Sequence, residues 1–291
     1  MKRKIRIIGL GIMGAGIAGN FLKNGHPVFL WNRTAERLEK FRGTSGAVLC
    51  ETPGKVCENS EIVFEITADD SSSRSVWLGE KGILSGANYG KILVASSTLS
   101  AGWTDELSEL CKRKEVDFLD MPLTGGRMGA ETGKLTLLCG GEENVLDSIR
   151  PDLSAISGKI SYFGKAGSGM RYKLILNFLQ AVHMSGFNQA MELAKKEGLD
   201  LEKVADALRD RPGGTITGIA AKSYFESEPA LTFSVEWISK DLSYCRELAG
   251  QGGASLLDAV MKEYGLASEA GLLKNDWSIV SRKSGEMGKK L

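Results

Sequence analysis

The pattern that most restricts this chain is Gly9-x-Gly11-x-x-Gly14. It follows directly on the short β-type run Ile5 to Ile8 and opens a helical pattern, Ala15 to Lys23, which Asn24-Gly25 stops. Pro27 to Asn32 then reads as a second buried strand, so the first 32 residues spell a βαβ unit. In that setting glycine at 9 permits a tight turn, at 11 lets backbone approach a pyrophosphate, and at 14 lets helix pack closely on strand. The spacing alone is a weak signal, because glycines that serve only close packing look the same. The strand-turn-helix-strand setting favours a dinucleotide site built from Gly9, Gly11, Ile12, Met13 and Gly14.

The alternation continues. Lys40 to Cys50 carries no clear pattern, but Glu61 to Thr67, Lys91 to Ala95, Val116 to Asp120 and Leu135 to Cys139 read as strands separated by helical or turn segments. A short strand, Ile160 to Phe163, precedes Gly164-Lys-Ala-Gly167, and beyond it strand patterns stop. Met170 to Lys196 and Leu201 to Arg209 are helical patterns, as are the segments 214–225, 237–250, 254–269 and 274–282, punctuated by Gly213-Gly214 and Gly252-Gly253. The expected fold is α/β, a doubly wound, mainly parallel sheet over residues 1–165, followed by an all-α domain over 166–291 that begins with a long interdomain helix.

Composition narrows the partners. The 291 residues suffice for two cores, and lysine plus arginine (37) balance aspartate plus glutamate (36), so no global field favours nucleic acid or a membrane surface. Five cysteines without a C-x-x-C pair point to neither a disulfide framework nor a zinc site, and no metal is expected. Met-Lys-Arg-Lys ahead of an uncharged run has the outline of a secretory leader, but Arg6 and the glycine spacing fit a buried strand and turn better, and a cytoplasmic location is expected.

The end of the second strand bears on the cofactor. An acidic residue there usually accepts from the ribose hydroxyls of NAD, whereas this chain has Trp31-Asn32-Arg33-Thr34. Asn32 and Thr34 can hydrogen-bond a 2′-phosphate and Arg33 can pair with it, which favours NADP(H) over NAD(H); an N-capping Asn or Thr beside a solvated Arg is the alternative. Ser96-Ser97-Thr98 places hydroxyls at the carboxyl edge of the sheet. After the next strand, Thr124, Gly125 and Gly126 offer a hydroxyl and backbone N–H groups to a small carboxylate, or else form a plain Pro-Gly turn. His26 and His183 sit in a turn and a helix interior, so neither suits a catalytic acid. Lys173 and Asn177, four apart, share a helix face; alone they read as solvated residues, but facing a nucleotide-binding domain they become proton donor and positioner. A lysine, with an ordinary pKa near ~10.4, needs only placement to protonate a carbonyl oxygen.

Ile8-Gly-Leu-Gly-Ile-Met-Gly14, Asp120-Met-Pro-Leu-Thr-Gly-Gly126, Gly167-Ser-Gly-Met-Arg-Tyr-Lys-Leu-Ile-Leu-Asn177 and Lys240-Asp241-Leu242, in this order, resemble the β-hydroxyacid dehydrogenase family across nearly the whole chain. The resemblance implies that Lys173 is the catalytic lysine supported by Asn177, that Thr124, Gly125 and Gly126 hold a substrate carboxylate, that Phe233 and Asp241 border the pocket, and that Thr98 and Lys240 lie near the cofactor. Three departures stand out: Thr124 where many members have Ser, Leu176 where many have the first of two asparagines, and Trp-Asn-Arg-Thr, which is similar to the NADPH-dependent glyoxylate/succinic semialdehyde reductase branch. The implied reaction is reduction of a small aldehyde or keto acid, with oxidation of 3-hydroxyisobutyrate or a related hydroxy acid as the alternative. Imine reduction and a non-catalytic NADP-binding scaffold are further alternatives, against both of which Lys173 weighs. A homodimer or homotetramer through the helical half is implied as well.

Overall fold

The computed structural model describes residues 2–57, 61–210, 214–225, 230–250 and 254–281; the expected breaks at Gly213 and Gly252-Gly253 and the last expected helical residue, 282, lie outside these. The chain forms two compact units, Met1–Lys173 and Leu174–Leu291.

The first unit contains β1 (Ile5–Ile8), α1 (Ile12–Lys23), β2 (Val28–Trp31), β3 (Ala47–Leu49), α2 (Pro53–Cys57), β4 (Ile62–Glu65), α3 (Asp70–Leu78), α4 (Ile83–Gly86), β5 (Ile92–Ala95), α5 (Ala101–Arg113) and β6 (Asp117–Asp120). It continues through β7 (Leu123–Thr124), α6 (Gly126–Thr132), β8 (Leu135–Gly141), α7 (Glu143–Leu153) and β9 (Ser157–Tyr162). Strand order is β3-β2-β1-β4-β5-β6-β8-β7, with β9 alongside β8. The six strands from β3 to β6 are parallel, in register Ile8↔Glu65 and Glu65↔Ala95; β8 runs antiparallel to β6 and β7. Order reverses between β1 and β4, so the crevice expected of this topology opens there, at the carboxyl ends.

The sheet is buried on both faces because its strands alternate between two cores. Ile62 and Phe64 join Ile5, Ile7, Leu30, Ile17 and Phe21 on one side. Val63 joins Leu93, Phe118, Trp77 and Trp103 on the other. The structure adds β3 where the sequence pattern is unclear, and it adds β7, a two-residue strand too short to carry a period.

The second unit is helical: α8 (Ser168–Lys196), which starts in the first unit, α9 (Leu201–Asp210), α10 (Gly214–Phe225), α11 (Val235–Ala249), α12 (Ser255–Glu269) and a 3₁₀ turn, Trp277–Ser281. Leu174, Ala181, Met184 and Met191 of α8 pack with Ile238 and Leu242 of α11 and Val260 and Tyr264 of α12. Asp276 ties this core to its closing turn: one carboxylate oxygen accepts from Thr232 N (2.7 Å) and Oγ1 (2.7 Å), and the other accepts from Ser278 Oγ (2.6 Å). Asp276→Ala removes the acceptor of the exposed Thr232 and strands the buried Ser278 donor, so urea unfolding should show a loss of about 2 kcal/mol.

Candidate active site

The glycine turn is built for two different reasons. Gly9 has φ 104°, and a Cβ there would run into the Ile66 carbonyl oxygen just beyond β4; a Cβ on Gly14 would run into the Gly9 carbonyl oxygen. These two are glycine because the protein itself fills the space. At Gly11 the nearest atom to a Cβ would be Arg37 Nη1 at 3.7 Å, so no backbone demands glycine and the room is left open. Gly11 also N-caps α1 without a side-chain cap, and the first turn, with half-buried Ile12 and Met13, holds no acidic residue. Free N–H groups and the positive end of the helix dipole therefore face that room, and they fit a pyrophosphate.

Asn32 links this turn to the end of β2: its Oδ1 accepts from Leu10 N (2.8 Å) and its Nδ2 donates to the Thr34 carbonyl (2.8 Å). The side chain is thus mostly committed to bracing the loop, with one amide proton left for a ligand, which departs from the expectation of a direct phosphate ligand. Thr34 precedes the 3₁₀ turn Ala35–Arg37 without capping it by its side chain. Arg33, Thr34 and Arg37 are exposed, and neither arginine forms an ion pair among the described residues. Arg37 escaped the sequence reading; its position three residues after Thr34 on a 3₁₀ turn, where i and i+3 eclipse, is the signal that could have found it.

The adjoining edge carries a cluster of which only Ser97 is expected from the sequence; Glu65 and Thr67 are additions. Glu65, fully buried at the end of β4, accepts with Oε1 from Ser97 Oγ (2.7 Å), Thr67 N (3.2 Å) and the Thr67 hydroxyl. Burial pushes its carboxyl upward, opposed by hydrogen bonds from Thr67 and Ser97. Ser97 also accepts from Thr67 N (2.6 Å), so the loops after β4 and β5 are joined directly below half-buried Thr98. Beside the Ser96-Ser97-Thr98 hydroxyls, a strand-end Glu among apolar residues is the trace of this in the sequence.

At the far side of the parallel strands, Thr124 pairs with Thr136 of β8 and leads into Gly125 (φ 120°) and Gly126 (φ 60°). Both angles lie where side chains strain the backbone, so the turn is a glycine turn by conformation. A Cβ on Gly126 would meet nothing within 4 Å. The Thr124 hydroxyl makes no hydrogen bond to the described residues. Helix α6, which follows, lies against α1: Gly16 leaves no room for a Cβ against Ala130, and Asn20 Nδ2 donates to the Ala130 carbonyl (2.6 Å).

Asp120 closes β6 immediately before this turn. Buried completely, it accepts from Gly167 N with Oδ1 (2.6 Å) and from Met170 N with Oδ2 (2.6 Å), at the start of α8. Burial pushes its carboxyl up to about 6, against the pull of these two N–H groups and of Arg171. Lys173 follows less than one turn later and is 9% exposed.

In the second unit Asn177, one turn beyond Lys173 on α8, is buried and donates to Asp241 Oδ2 (2.6 Å) on α11; Asp241 Oδ1 stands 2.8 Å from Lys240 Nζ. Half-buried Phe233 lies near Trp237 (6.0 Å between rings), in the segment that Asp276 secures. The first unit therefore holds the glycine turn, Asn32 to Thr34, Thr98, Thr124 to Gly126 and Lys173, and the second holds Asn177, Phe233, Lys240 and Asp241. The two kinds of glycine are separable: Gly11→Ala should keep its melting temperature while losing at least ~10-fold in dinucleotide affinity by fluorescence titration, whereas Gly14→Ala should lower the melting temperature without any ligand.

Residues 4–164 match the family described as the NAD binding domain of 6-phosphogluconate dehydrogenase, and residues 167–282 match the family described as NAD-binding of NADP-dependent 3-hydroxyisobutyrate dehydrogenase. An uncharacterized oxidoreductase of Shewanella frigidimarina is 30% identical over 96% of both chains. The cytokine-like nuclear factor N-PAC of Xenopus tropicalis is 32% identical over 82% of this chain and 45% of its own length. Among solved structures, 3-hydroxyisobutyrate dehydrogenase of Mycobacterium tuberculosis with L-serine superposes with a TM-score of 0.84 over 97% of this chain and 98% of the other, at 24% identity, a likeness of fold. No helix among the described residues is long and apolar enough to cross a membrane. With both halves of the chain matched and the glycine turn shaped for a dinucleotide, the chain belongs to the β-hydroxyacid dehydrogenase family of NAD(P)-dependent oxidoreductases acting on CH–OH groups.

Proposed function

We propose that the protein reduces a small aldehyde or keto acid, of the glyoxylate or succinic semialdehyde type, to the hydroxy acid with NADPH. The observation that carries this reading is Lys173, an amine only 9% exposed, in the same compact unit as the open glycine turn and the Thr124–Gly126 turn. Gly11 to Gly14 receive the pyrophosphate, and Arg33, Thr34 and Arg37 receive the 2′-phosphate, with Asn32 holding their loop on the glycine turn. When bound, the reduced nicotinamide supplies the hydride. Thr124 Oγ1 and the N–H groups of Gly125 and Gly126 bind the substrate carboxylate. Lys173 Nζ donates a proton to the carbonyl oxygen as charge develops there.

By family resemblance, Asn177 supports the lysine, Phe233 and Asp241 belong to the substrate pocket, and Thr98 and Lys240 to the cofactor site; within the second unit Asn177 donates to Asp241, which pairs with Lys240. Supporting NADP(H) over NAD(H) are the non-acidic Asn32-Arg33-Thr34 after β2, the two arginines without an ion pair among the described residues, and the NADP-dependent description of the family matched by the second half. That same description also supports the oxidative direction on a hydroxy acid as a second reading. The resemblance to a nuclear factor invites a scaffold reading, and the retained lysine favours catalysis over it. A homodimer or homotetramer through the helical half agrees with the exposed stripe Ile175, Leu179 and Leu193 on α8, and a cytoplasmic location agrees with five cysteines that form no disulfide among the described residues.

A steady-state panel of glyoxylate, succinic semialdehyde, tartronate semialdehyde and 3-hydroxyisobutyrate with both nicotinamide cofactors tests substrate and direction; no turnover with any of them despite NADPH binding would overturn the enzymatic reading. Lys173→Ala should lower kcat at least ~100-fold, and near-normal turnover would remove the lysine from the mechanism. The double substitution Arg33→Ala, Arg37→Ala should weaken NADPH at least ~30-fold in a binding titration and NADH by less than about 3-fold, since only the former carries the charge that the arginines meet.

A further inference from the structure

We propose that Asp120 is a positioning residue that sets Lys173 in register with the Thr124–Gly126 turn, acting through the backbone at the start of α8. This rests on the reading of Lys173 as proton donor.

Both effects of Asp120 run from one carboxylate. Its main chain continues within four residues into Thr124, while its two oxygens take one N–H each from Gly167 and Met170, and Met170 precedes Lys173 by less than a helical turn. The first helical N–H groups have no partner within their own helix, so a buried helix start needs an acceptor from elsewhere; an anion at that end is favoured twice, by hydrogen bonding and by the dipole. The neighbourhood leaves little slack. A Cβ on Gly140 would stand 2.5 Å from Asp120 Oδ1 and 2.9 Å from Gly169 N, and one on Gly169 would run into the Leu138 carbonyl oxygen, so two glycines let helix start and β8 touch. Met170 is fully buried, and its sulfur accepts from Leu99 N (3.2 Å). Arg171 on α8 faces outward to Asp105 of α5 (2.7 Å), and Cys139 of β8, its thiol pushed up to about 12 by burial and by Asp120, is the other titratable neighbour. Neither offers the two N–H groups an alternative acceptor.

Only a carboxylate meets this geometry. An amide of the same shape presents one oxygen and one NH₂, so Asp120→Asn turns a donor onto one of the two N–H groups while leaving the volume unchanged. The catalytic lysine would then keep its chemistry and lose its placement, and small misplacements of a reacting group cost large factors in rate.

The test is Asp120→Asn, alone and combined with Lys173→Ala, with Asp120→Ser as a second replacement that is smaller and keeps one acceptor. Folding is checked by circular dichroism and thermal melting, and NADPH affinity by fluorescence titration. Expected for Asp120→Asn are NADPH affinity within about 2-fold of the parent, kcat at least ~10-fold lower, and faster acylation of Lys173 by an amine reagent, read by mass spectrometry. In the Lys173→Ala background the same substitution should change kcat by less than about 2-fold, because its effect passes through the lysine. Unchanged kcat in both single replacements, or full multiplication of the two losses in the double variant, would overturn the positioning role while leaving Lys173 as donor. Near-normal turnover of Lys173→Ala alone would instead remove the reading on which it rests.

Discussion

A long helix that starts inside a protein leaves its first N–H groups without partners, and here one buried carboxylate answers them. Asp120 accepts from Gly167 and Met170, and the 29 residues of α8 run on from that point. The sheet contributes the carboxylate from the last of its six parallel strands, so the position of the helix start is set by strand register, not by a flexible connection. Lys173 inherits its placement from it, because a continuous helix transmits position along its axis at a fixed rise.

Glycine makes the adjoining surfaces possible, and it does so for distinct causes. Gly9, Gly14, Gly140 and Gly169 are small because backbone or a carboxylate occupies the place of a side chain, whereas Gly125 and Gly126 are glycine because their positive φ values suit little else. Gly11 meets neither condition. A residue that is free to be larger, at an uncapped helix start beside an arginine with no ion pair among the described residues, is intelligible when the missing neighbour is an anion.

Three buried carboxylates, Glu65, Asp120 and Asp276, gather donors from loops or a helix start that lack regular hydrogen bonding. Glu65 joins the loops after β4 and β5, and Asp276 holds the turn before α11. Asp241 takes Asn177. Such groups cost desolvation, as the upward displacement of the Glu65 and Asp120 carboxyls records, and the cost is offset by bonds that keep irregular backbone in one conformation.

How much of this was legible in the sequence depends on the range of the interaction responsible. Runs such as Ile62 to Glu65, the glycine spacing and the change from strand to helix patterns near residue 165 are local, so the α/β and all-α halves and the dinucleotide turn could be read directly. Strand β7 and the antiparallel course of β8 could not, because two residues carry no period and direction is decided by a partner elsewhere in the chain. Arg37, Glu65 and Thr67 are not legible for the same reason, nor is the bond by which the Asn32 oxygen serves Leu10. The sequence by itself determined which residue types could carry the chemistry and on which elements they sit, since periodicity and turn chemistry act over a few residues. Only the tertiary structure decided which of them are committed to one another, because a hydrogen bond such as Asp120 to Gly167 joins residues that only the folded sheet brings together.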